Sequence, residues 1–184
     1  MSPGCGAECG AGFITVSLMS KVRAHFRRYP DQSDVAAVSA MTAAQWRGIA
    51  KRTPTYLEGY RDRPGSQDRA QRRAEWIAGL SVFAEARSVF EIGCGCGRNL
   101  AAIRRRYPGM SVSGCDICPE AVAEAQKILP AGGIAVLDIT ELLGITESLF
   151  DVTLSVGVLV HQHPDLVPGI LTALLVLSRT LVLV

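Results

Sequence analysis

The stretch VFEIGCGCGRN, residues 89–99, places one acid, three glycines and two cysteines directly behind an apolar pair. Cysteine thiolates at short spacing can bind a metal ion or carry redox chemistry. Glycines at the same place can instead form a bend at which a ligand approaches the main chain. The spacing of the cysteines and the charge of the acid decide between these interpretations.

The six cysteines of the chain do not follow a metal-binding pattern. They form three close pairs, Cys5 and Cys9, Cys94 and Cys96, and Cys115 and Cys118. Only the last pair has the C-x-x-C spacing of zinc sites, and no second such pair follows it. His161 and His163 are one residue apart and do not share a helix face. We therefore expect no metal site and interpret the cysteines as small buried or loop thiols.

The three glycines have the spacing of a strand-to-helix turn. Gly93, Gly95 and Gly97 follow an apolar run and precede a helical pattern that starts at Arg98. Such a turn accepts positive φ angles, and the helix start presents free N–H groups to a ligand. Dinucleotides and S-adenosylmethionine are the two ligand classes that suit this arrangement.

Two acids bear on the choice between these ligands. Dinucleotide turns usually read G-x-G-x-x-G, whereas the third glycine here comes one residue earlier. Glu91 would repel a pyrophosphate, but it suits the ammonium group of a ligand that carries an amino acid. Asp116 ends an apolar run 19 residues beyond Gly97 and can accept both hydroxyls of a ribose, which fits either class.

Apolar runs and helical patterns alternate regularly after residue 66. We predict strands at 88–92, 111–116, 134–137, 150–156 and 180–184, and helices at 66–80, 98–107, from 119 and 165–178. Apolar strands separated by helices are typical of a parallel sheet covered on both faces. The predicted fold class is α/β, a Rossmann-like doubly wound, mostly parallel sheet. Its ligands bind at the carboxyl ends of the strands, where the glycine turn falls.

The domain prediction places an N-terminal tail and helical lid segment at residues 1–65 and the Rossmann-like domain at 66–184. One or two short helices, broken at Pro30-Asp31, are expected within residues 13–50, and a connecting loop within 53–69.

Composition excludes several classes of protein. The net charge is +2, with 17 Lys and Arg against 9 Asp and Glu in residues 1–107 and 2 against 8 in residues 108–184. The acidic second half and the lack of an RNA-binding module speak against a nucleic-acid partner. The longest late uncharged stretch, 166–178, is too short to span a bilayer. We expect a cytoplasmic protein without a secretory signal or membrane association.

Four segments in order resemble the class I S-adenosylmethionine-dependent methyltransferase family. They are VFEIGCGCGRNL, VSGCDICPEAVAEAQ, IAVLDIT and LFDVTLSVGVLVHQHPD, within roughly residues 75–184. The last segment is similar to small-molecule and natural-product methylases. The resemblance implies S-adenosylmethionine as the cofactor and a small-molecule methyl acceptor, with O-, N- or C-methylation unresolved. The alternative is a non-catalytic or degenerate cofactor-binding protein or a subunit of a methyltransferase complex.

The resemblance also implies roles for individual residues. Glu91 and the main chain from Gly93 through Cys94 and Gly95 to Gly97 would hold the methionine portion. Asp116 would bind the ribose, and Asp138 would accept from the adenine amino group. The remaining cofactor contacts would come from Ile117 and Ile139 beside the adenine and from the main chain of Ser155 and Val156. The alternative for both aspartates is that they cap the turns that follow them.

Methyl transfer from a sulfonium mainly requires alignment of the reactants and exclusion of water. A base helps when the acceptor is a hydroxyl or an ammonium group, and His161, which follows the fourth strand, is the candidate. Its alternative is a structural histidine bonded to the main chain, and His163 is interpreted as a turn residue. Further lid candidates are Trp46, Tyr56, Tyr60 and Trp76 as aromatic surfaces and Arg61 or Arg63 for the methionine carboxylate. The alternative for most of them is packing in the core or a solvated position on the surface.

The chain departs from the family after its fifth strand. Class I methyltransferases continue with an antiparallel edge hairpin, whereas this sequence ends at TLVLV. An exposed apolar edge is avoided in most proteins. The alternatives are a truncated chain or gene fragment, an oligomer or partner chain that covers the edge, and a degenerate, inactive relative. The preceding helix is apolar nearly all round and includes Pro168-Gly169, from which we expect burial on all sides.

Overall fold

The computed structural model describes residues 34–52, 66–144 and 146–184. Five helices and five strands alternate along these ranges, with short 3-10 turns between some of them. In chain order they are α1 Val35–Arg52, α2 Ser66–Ala78, β1 Ser88–Ile92, α3 Arg98–Arg106, β2 Ser111–Asp116, α4 Pro119–Ile128, β3 Gly133–Val136, β4 Phe150–Ser155, α5 Val167–Leu177 and β5 Ser178–Leu183. The 3-10 turns are Ser81–Phe83, Ile139–Leu142 and Leu159–His161.

The five strands form one parallel sheet with the order β3-β2-β1-β4-β5. Ile92 at the end of β1 pairs with Cys115 of β2 on one side and Ser155 of β4 on the other. The chain runs outward from β1 to β3 and then returns to the other side of β1. This reversal opens a crevice at the carboxyl end of β1, where open α/β sheets bind ligands. The predicted fold class is confirmed.

Helices cover both faces of the sheet. On one face Val89 packs in a core with residues of α2, α3 and α4, such as Ile77, Leu100 and Val122. On the other face Ile92 packs with Ile170 and other residues of α5 and the 3-10 turns. Because strand side chains alternate, Glu91 points to the same face as Val89, toward the α2–α3 side.

The structure corrects the expectation for the last helix. α5 begins at Val167, so Pro168 lies in its first turn, where its missing N–H costs nothing. One face of α5 is buried, but Leu175 is 62% exposed and Thr172 is exposed as well. The expected burial on all sides is wrong, because β5 follows α5 directly and holds only one face of the helix against the sheet.

Strand β5 forms the outer edge of the sheet among the described residues. Leu181, Val182 and Leu183 are half-buried there. None of the helices in the described ranges is long and apolar enough to cross a membrane. Before α2, the described residues form one 18-residue helix, α1. Residues 13–33, where the rest of the predicted helical stretch and its break at Pro30-Asp31 fall, lie outside the described residues.

Candidate cofactor site

The glycine turn after β1 adopts the backbone conformation that its sequence predicts. Gly93, Gly95 and Gly97 have φ angles of 65°, 54° and 76°. Gly97 caps the start of α3, so the first N–H groups of that helix lie at the turn. Cys94 and Cys96 are buried within the turn. The prediction of a left-handed strand-to-helix bend is confirmed.

We expect Gly93→Ala to destabilise the protein by about 2–4 kcal/mol, since a left-handed alanine costs about 1–2 kcal/mol and overpacking about as much again. The added Cβ would lie 2.2 Å from Val158 Cγ2. Gly109→Ala is the matched control, since nothing lies within 4 Å of its Cβ position. Urea unfolding should show partial recovery in the double variant with Val158→Ala, which removes the clash and leaves the strain; equal stability of both alanine variants would contradict this account.

A cavity of about 480 Å³ opens at the carboxyl ends of the first four strands, with α1 on its opposite side. Its strand-side wall contains Gly93, Asp116, Ile117, Asp138 and Ile139, all predicted cofactor residues. Val156 and His161 line it as well. The structure thus brings together seven residues that the sequence placed in one site.

Asp116 ties the glycine turn to the end of β2. Gly95 N donates to Asp116 Oδ2 at 2.8 Å, and Cys118 N donates to Oδ1 at 2.9 Å. Burial raises the pKa of Asp116, and these N–H donors partly oppose the rise. A carboxylate oxygen accepts more than one hydrogen bond, so both oxygens keep capacity for ribose hydroxyls. Asp116 therefore caps the turn and lines the cavity at the same time.

Asp138 caps the 3-10 turn that follows β3. Its Oδ1 accepts from Thr140 N at 3.0 Å and Thr140 Oγ1 at 2.8 Å, while Asp138 N donates to Glu141 Oε1 at 2.8 Å. Ile139 is buried, and Ile117 is half-buried on the same cavity wall. The two isoleucines provide apolar contact for a flat base, with an acid beside them.

Glu91 lies beneath the glycine turn rather than on the cavity wall. Its side chain is fully buried, Asn99 Nδ2 donates to Oε1 at 2.6 Å, and Oε2 has no hydrogen-bond partner among the described residues. Burial raises the pKa of Glu91 to about 8, and the hydrogen bond from Asn99 and the positive charge of Arg73 act in the opposite direction. The role expected for Glu91 toward the methionine portion, directly or through water, stays a prediction, because its carboxyl group does not line the cavity.

The two residues expected at the end of β4 differ in position. Val156 lines the cavity, whereas Ser155 is buried outside its lining. The Ser155 carbonyl accepts from Val184 N at 3.0 Å, and its hydroxyl has no hydrogen-bond partner among the described residues. The main-chain contact expected between Ser155 and the methionine portion stays a prediction.

The described cysteines are buried thiols. Cys94 N donates to Cys115 O at 2.9 Å, which joins the turn to β2 by main-chain contact. Burial raises the pKa of the Cys94, Cys96 and Cys118 thiols and that of Cys115 to about 12. A thiol with a raised pKa is a poor nucleophile and metal ligand. Cys5 and Cys9 lie outside the described residues, and within the described ranges no group of three or more metal-binding side chains occurs.

The two histidines after β4 have different surroundings. His161 lines the cavity, and its ring lies 4.8 Å from that of Trp46, centroid to centroid, with planes at 68°. His163 is buried, and its Nδ1 accepts from Asp165 N at 3.2 Å, as its interpretation as a turn residue predicts. Trp76 is 59% exposed and does not line the cavity, so its expected lid contact is wrong. Tyr56, Tyr60, Arg61 and Arg63 lie outside the described residues.

Sequence reasoning missed three side chains of this site. Asn99 holds Glu91, Arg73 lines the cavity beside the turn, and Arg47 lines it from α1. Asn99 carried a weak signal, because it lies within the first turn of the helix that follows the glycines. Arg73 precedes the buried Ala74. Whether the Arg73 side chain reaches the cavity depends on how α2 packs against α3, and no local sequence pattern encodes that packing.

The fold is Rossmann-like, and comparisons with known proteins identify the family of its sheet region. Residues 89–179 match the family described as a methyltransferase domain. No curated protein matches the chain significantly in sequence. The matched part of the chain belongs to the class I S-adenosylmethionine-dependent methyltransferase family, and S-adenosylmethionine is the cofactor that this family implies.

Solved structures share the fold at low sequence identity. An O-methyltransferase family protein from Burkholderia thailandensis has a TM-score of 0.59 and 20% identity, over 90% of this chain and 53% of that chain. The plantazolicin methyltransferase BamL, solved with SAH, has a TM-score of 0.52 and 16% identity, over 79% of this chain and 56% of that chain. Magnesium protoporphyrin IX methyltransferase from Synechocystis PCC 6803, solved with SAM, has a TM-score of 0.50 and 20% identity, over 97% of this chain and 77% of that chain. The chain therefore spans about half the length of the first two structures.

Proposed function

We propose that this chain binds S-adenosylmethionine in the cavity and transfers its methyl group to a small-molecule acceptor. The observation that carries the proposal is the Asp116 tether, which fixes a left-handed glycine turn at the switch point of the sheet. The family match supports the activity, and the named O-methyltransferase, porphyrin and peptide methyltransferases support a small acceptor without defining it.

The residues present fit this cofactor. Asp116 would hold the ribose, Ile117 and Ile139 the adenine, and Asp138 its amino group, while the turn would hold the methionine portion. A buried carboxylate oxygen without a partner, Glu91 Oε2, lies beneath that turn and suits an ammonium group nearby. When bound, the cofactor supplies an electrophilic methyl group on a positively charged sulfur.

The residues of the chain would hold the reactants in position, limit the access of water and accept a proton. The wall of α1 covers the strand ends and reduces access of water to the cavity. His161 lies on that cavity and is the proposed general base for an acceptor hydroxyl or ammonium group. The atom methylated is left open, and a cytoplasmic location stays a prediction from the sequence.

Calorimetric titration with S-adenosylhomocysteine (SAH) tests the proposal, with NADH as the competing ligand class. We expect SAH to bind at least about tenfold more tightly than NADH, because the acids of the cavity wall, Asp116 and Asp138, disfavour the pyrophosphate of NADH. Adenosine should compete with SAH for the same site. Tighter binding of NADH, or no binding of SAH, would overturn the proposal.

A further inference from the structure

The cavity extends beyond the residues that the proposed cofactor needs. One side of α1 lines it with Ser39, Thr42, Ala43 and Trp46, at the i, i+3, i+4, i+7 spacing of one helical face. Arg47 follows on α1, and His161 and Gln162 face α1 from the turn after β4. This α1 end of the cavity, which these residues define, lies opposite the strand ends and is the space left for a second ligand.

An aromatic pair lies in the α1 end. Trp46 and His161 meet edge to face, with their ring planes at 68°. In an edge-to-face contact, the ring that points its edge at its neighbour has neither of its two faces covered by that neighbour. A flat ligand ring can therefore stack on this pair at little cost in conformational entropy, since both side chains are held by their mutual contact.

The charge of the α1 end is positive. Arg47 and Arg73 both line the cavity, and within the described ranges neither forms an ion pair. The acids of the wall, Asp116 and Asp138, lie at the strand ends instead. Arg73 acts electrostatically on Glu91 and so lies near the glycine turn, where the amino-acid portion of the cofactor belongs. Arg47 is thus the cation available to a second ligand.

A serine hydroxyl also lies at the α1 end of the cavity. Ser39 Oγ is buried on α1 and has no hydrogen-bond partner within the part of the chain that the structure describes. Buried hydroxyls are nearly always paired, so a partner from the ligand would satisfy it. Guanidinium groups favour carboxylates over neutral groups because two parallel N–H donors match the two oxygens.

We propose that the α1 end of the cavity is the acceptor site and that it takes a planar aromatic acid, with Trp46 on the ring and Arg47 on the carboxylate. This inference rests on the proposed function, which places the cofactor at the strand ends. It goes further in assigning a chemical class to the acceptor. His161, beside Trp46, then lies next to the ring substituents of the acceptor.

The test uses two probes of equal shape, 4-hydroxybenzoate and the neutral 4-hydroxybenzamide, added to SAH-saturated protein. Binding is read from the fluorescence of Trp46 in a Trp76→Phe background, which leaves one tryptophan in the chain. We expect the benzoate to bind about tenfold more tightly than the amide, the effect of one charge-assisted contact at a partly exposed site. Arg47→Gln should reduce this preference to within about twofold.

Controls separate the acceptor site from general electrostatics. Arg72→Gln removes an exposed charge of α2 that does not line the cavity, and it should leave the preference for benzoate unchanged. Cyclohexanecarboxylate, which has the charge but no flat ring, should bind more weakly than the benzoate, and Trp46→Leu should abolish this difference in calorimetry.

The outcomes also separate this inference from the proposed function. If SAH fails to bind in the first step, the proposed function fails. If SAH binds while benzoate and benzamide bind equally, or if Arg47→Gln leaves the preference intact, the acceptor proposal is overturned and the cofactor site stands.

Discussion

Glu91→Gln should make the ligand-free protein more stable at pH 8.5 by on the order of 4 kcal/mol and should leave its stability at pH 5 nearly unchanged. Glu91 is fully buried, and burial raises its pKa from 4.5 to about 8. One pKa unit corresponds to about 1.4 kcal/mol. A glutamine at this position keeps the shape and needs no charge.

The direction of the pH dependence follows from the proton balance. Between pH 4.5 and 8 the native protein keeps the proton on Glu91 while the unfolded chain loses it. The free energy of unfolding of the wild type is therefore not reduced by Glu91 below pH 4.5, and it falls as the pH rises to 8. The difference between the variant and the wild type should grow across this window and level off above it.

Urea unfolding at pH 5, 7 and 8.5 measures the difference. Glu85→Gln, which removes an exposed acid near the start of β1, is the matched control and should show no such trend. A variant that is no more stable at pH 8.5 than at pH 5, relative to the wild type, would contradict the buried position of the carboxyl group.

Asp116→Ala should weaken SAH binding by about 100-fold or more. The substitution removes the acceptor for Gly95 N and Cys118 N, so the glycine turn loses its tie to β2 along with the ribose contacts. Hydrogen bonds to a charged group contribute about 1.5–3 kcal/mol each, and two of them account for the expected loss. Calorimetry gives the affinity, and far-UV circular dichroism shows that the variant is folded.

Two variants make the Asp116 result specific. Asp165→Ala removes a carboxylate that is 76% exposed and outside the cavity, and its SAH affinity should match the wild type. Asp116→Asn keeps one acceptor oxygen but turns an amide donor toward one of the two N–H groups, so it should also lose affinity. A folded Asp116→Ala protein that binds SAH within about threefold of the wild type would show that the tether is not part of the site.

The elements and the glycine turn could be predicted because their signals are local. Three glycines at alternate positions indicate a left-handed bend without reference to the rest of the chain, and the apolar runs indicate the buried strands. The position of Glu91 was harder to predict. Strand alternation fixes which face it occupies, but whether its carboxyl group reaches the cavity depends on where Asn99 and Arg73 lie.

The contribution of α1 to the cavity could not be predicted from sequence for a similar reason. α1 is separated from the sheet by a long stretch of chain, and nothing in its own pattern indicates that Trp46 meets His161. The contact joins residues more than a hundred positions apart. Trp76 shows the converse, because the small buried residues of α2 already fill the space against α3 and leave the indole ring outside.

Every neighbouring pair of strands among the described residues is parallel, which has a consequence for biosynthesis. Parallel strands cannot pair through a tight turn, so each contact waits for a crossover segment to be made and folded. The cavity lies between the ends of β1 and β4, and β4 is synthesised only after β2 and β3. A ligand can therefore stabilise the growing chain only once β4 has been made, and until then the apolar strands depend on the helices packed against them.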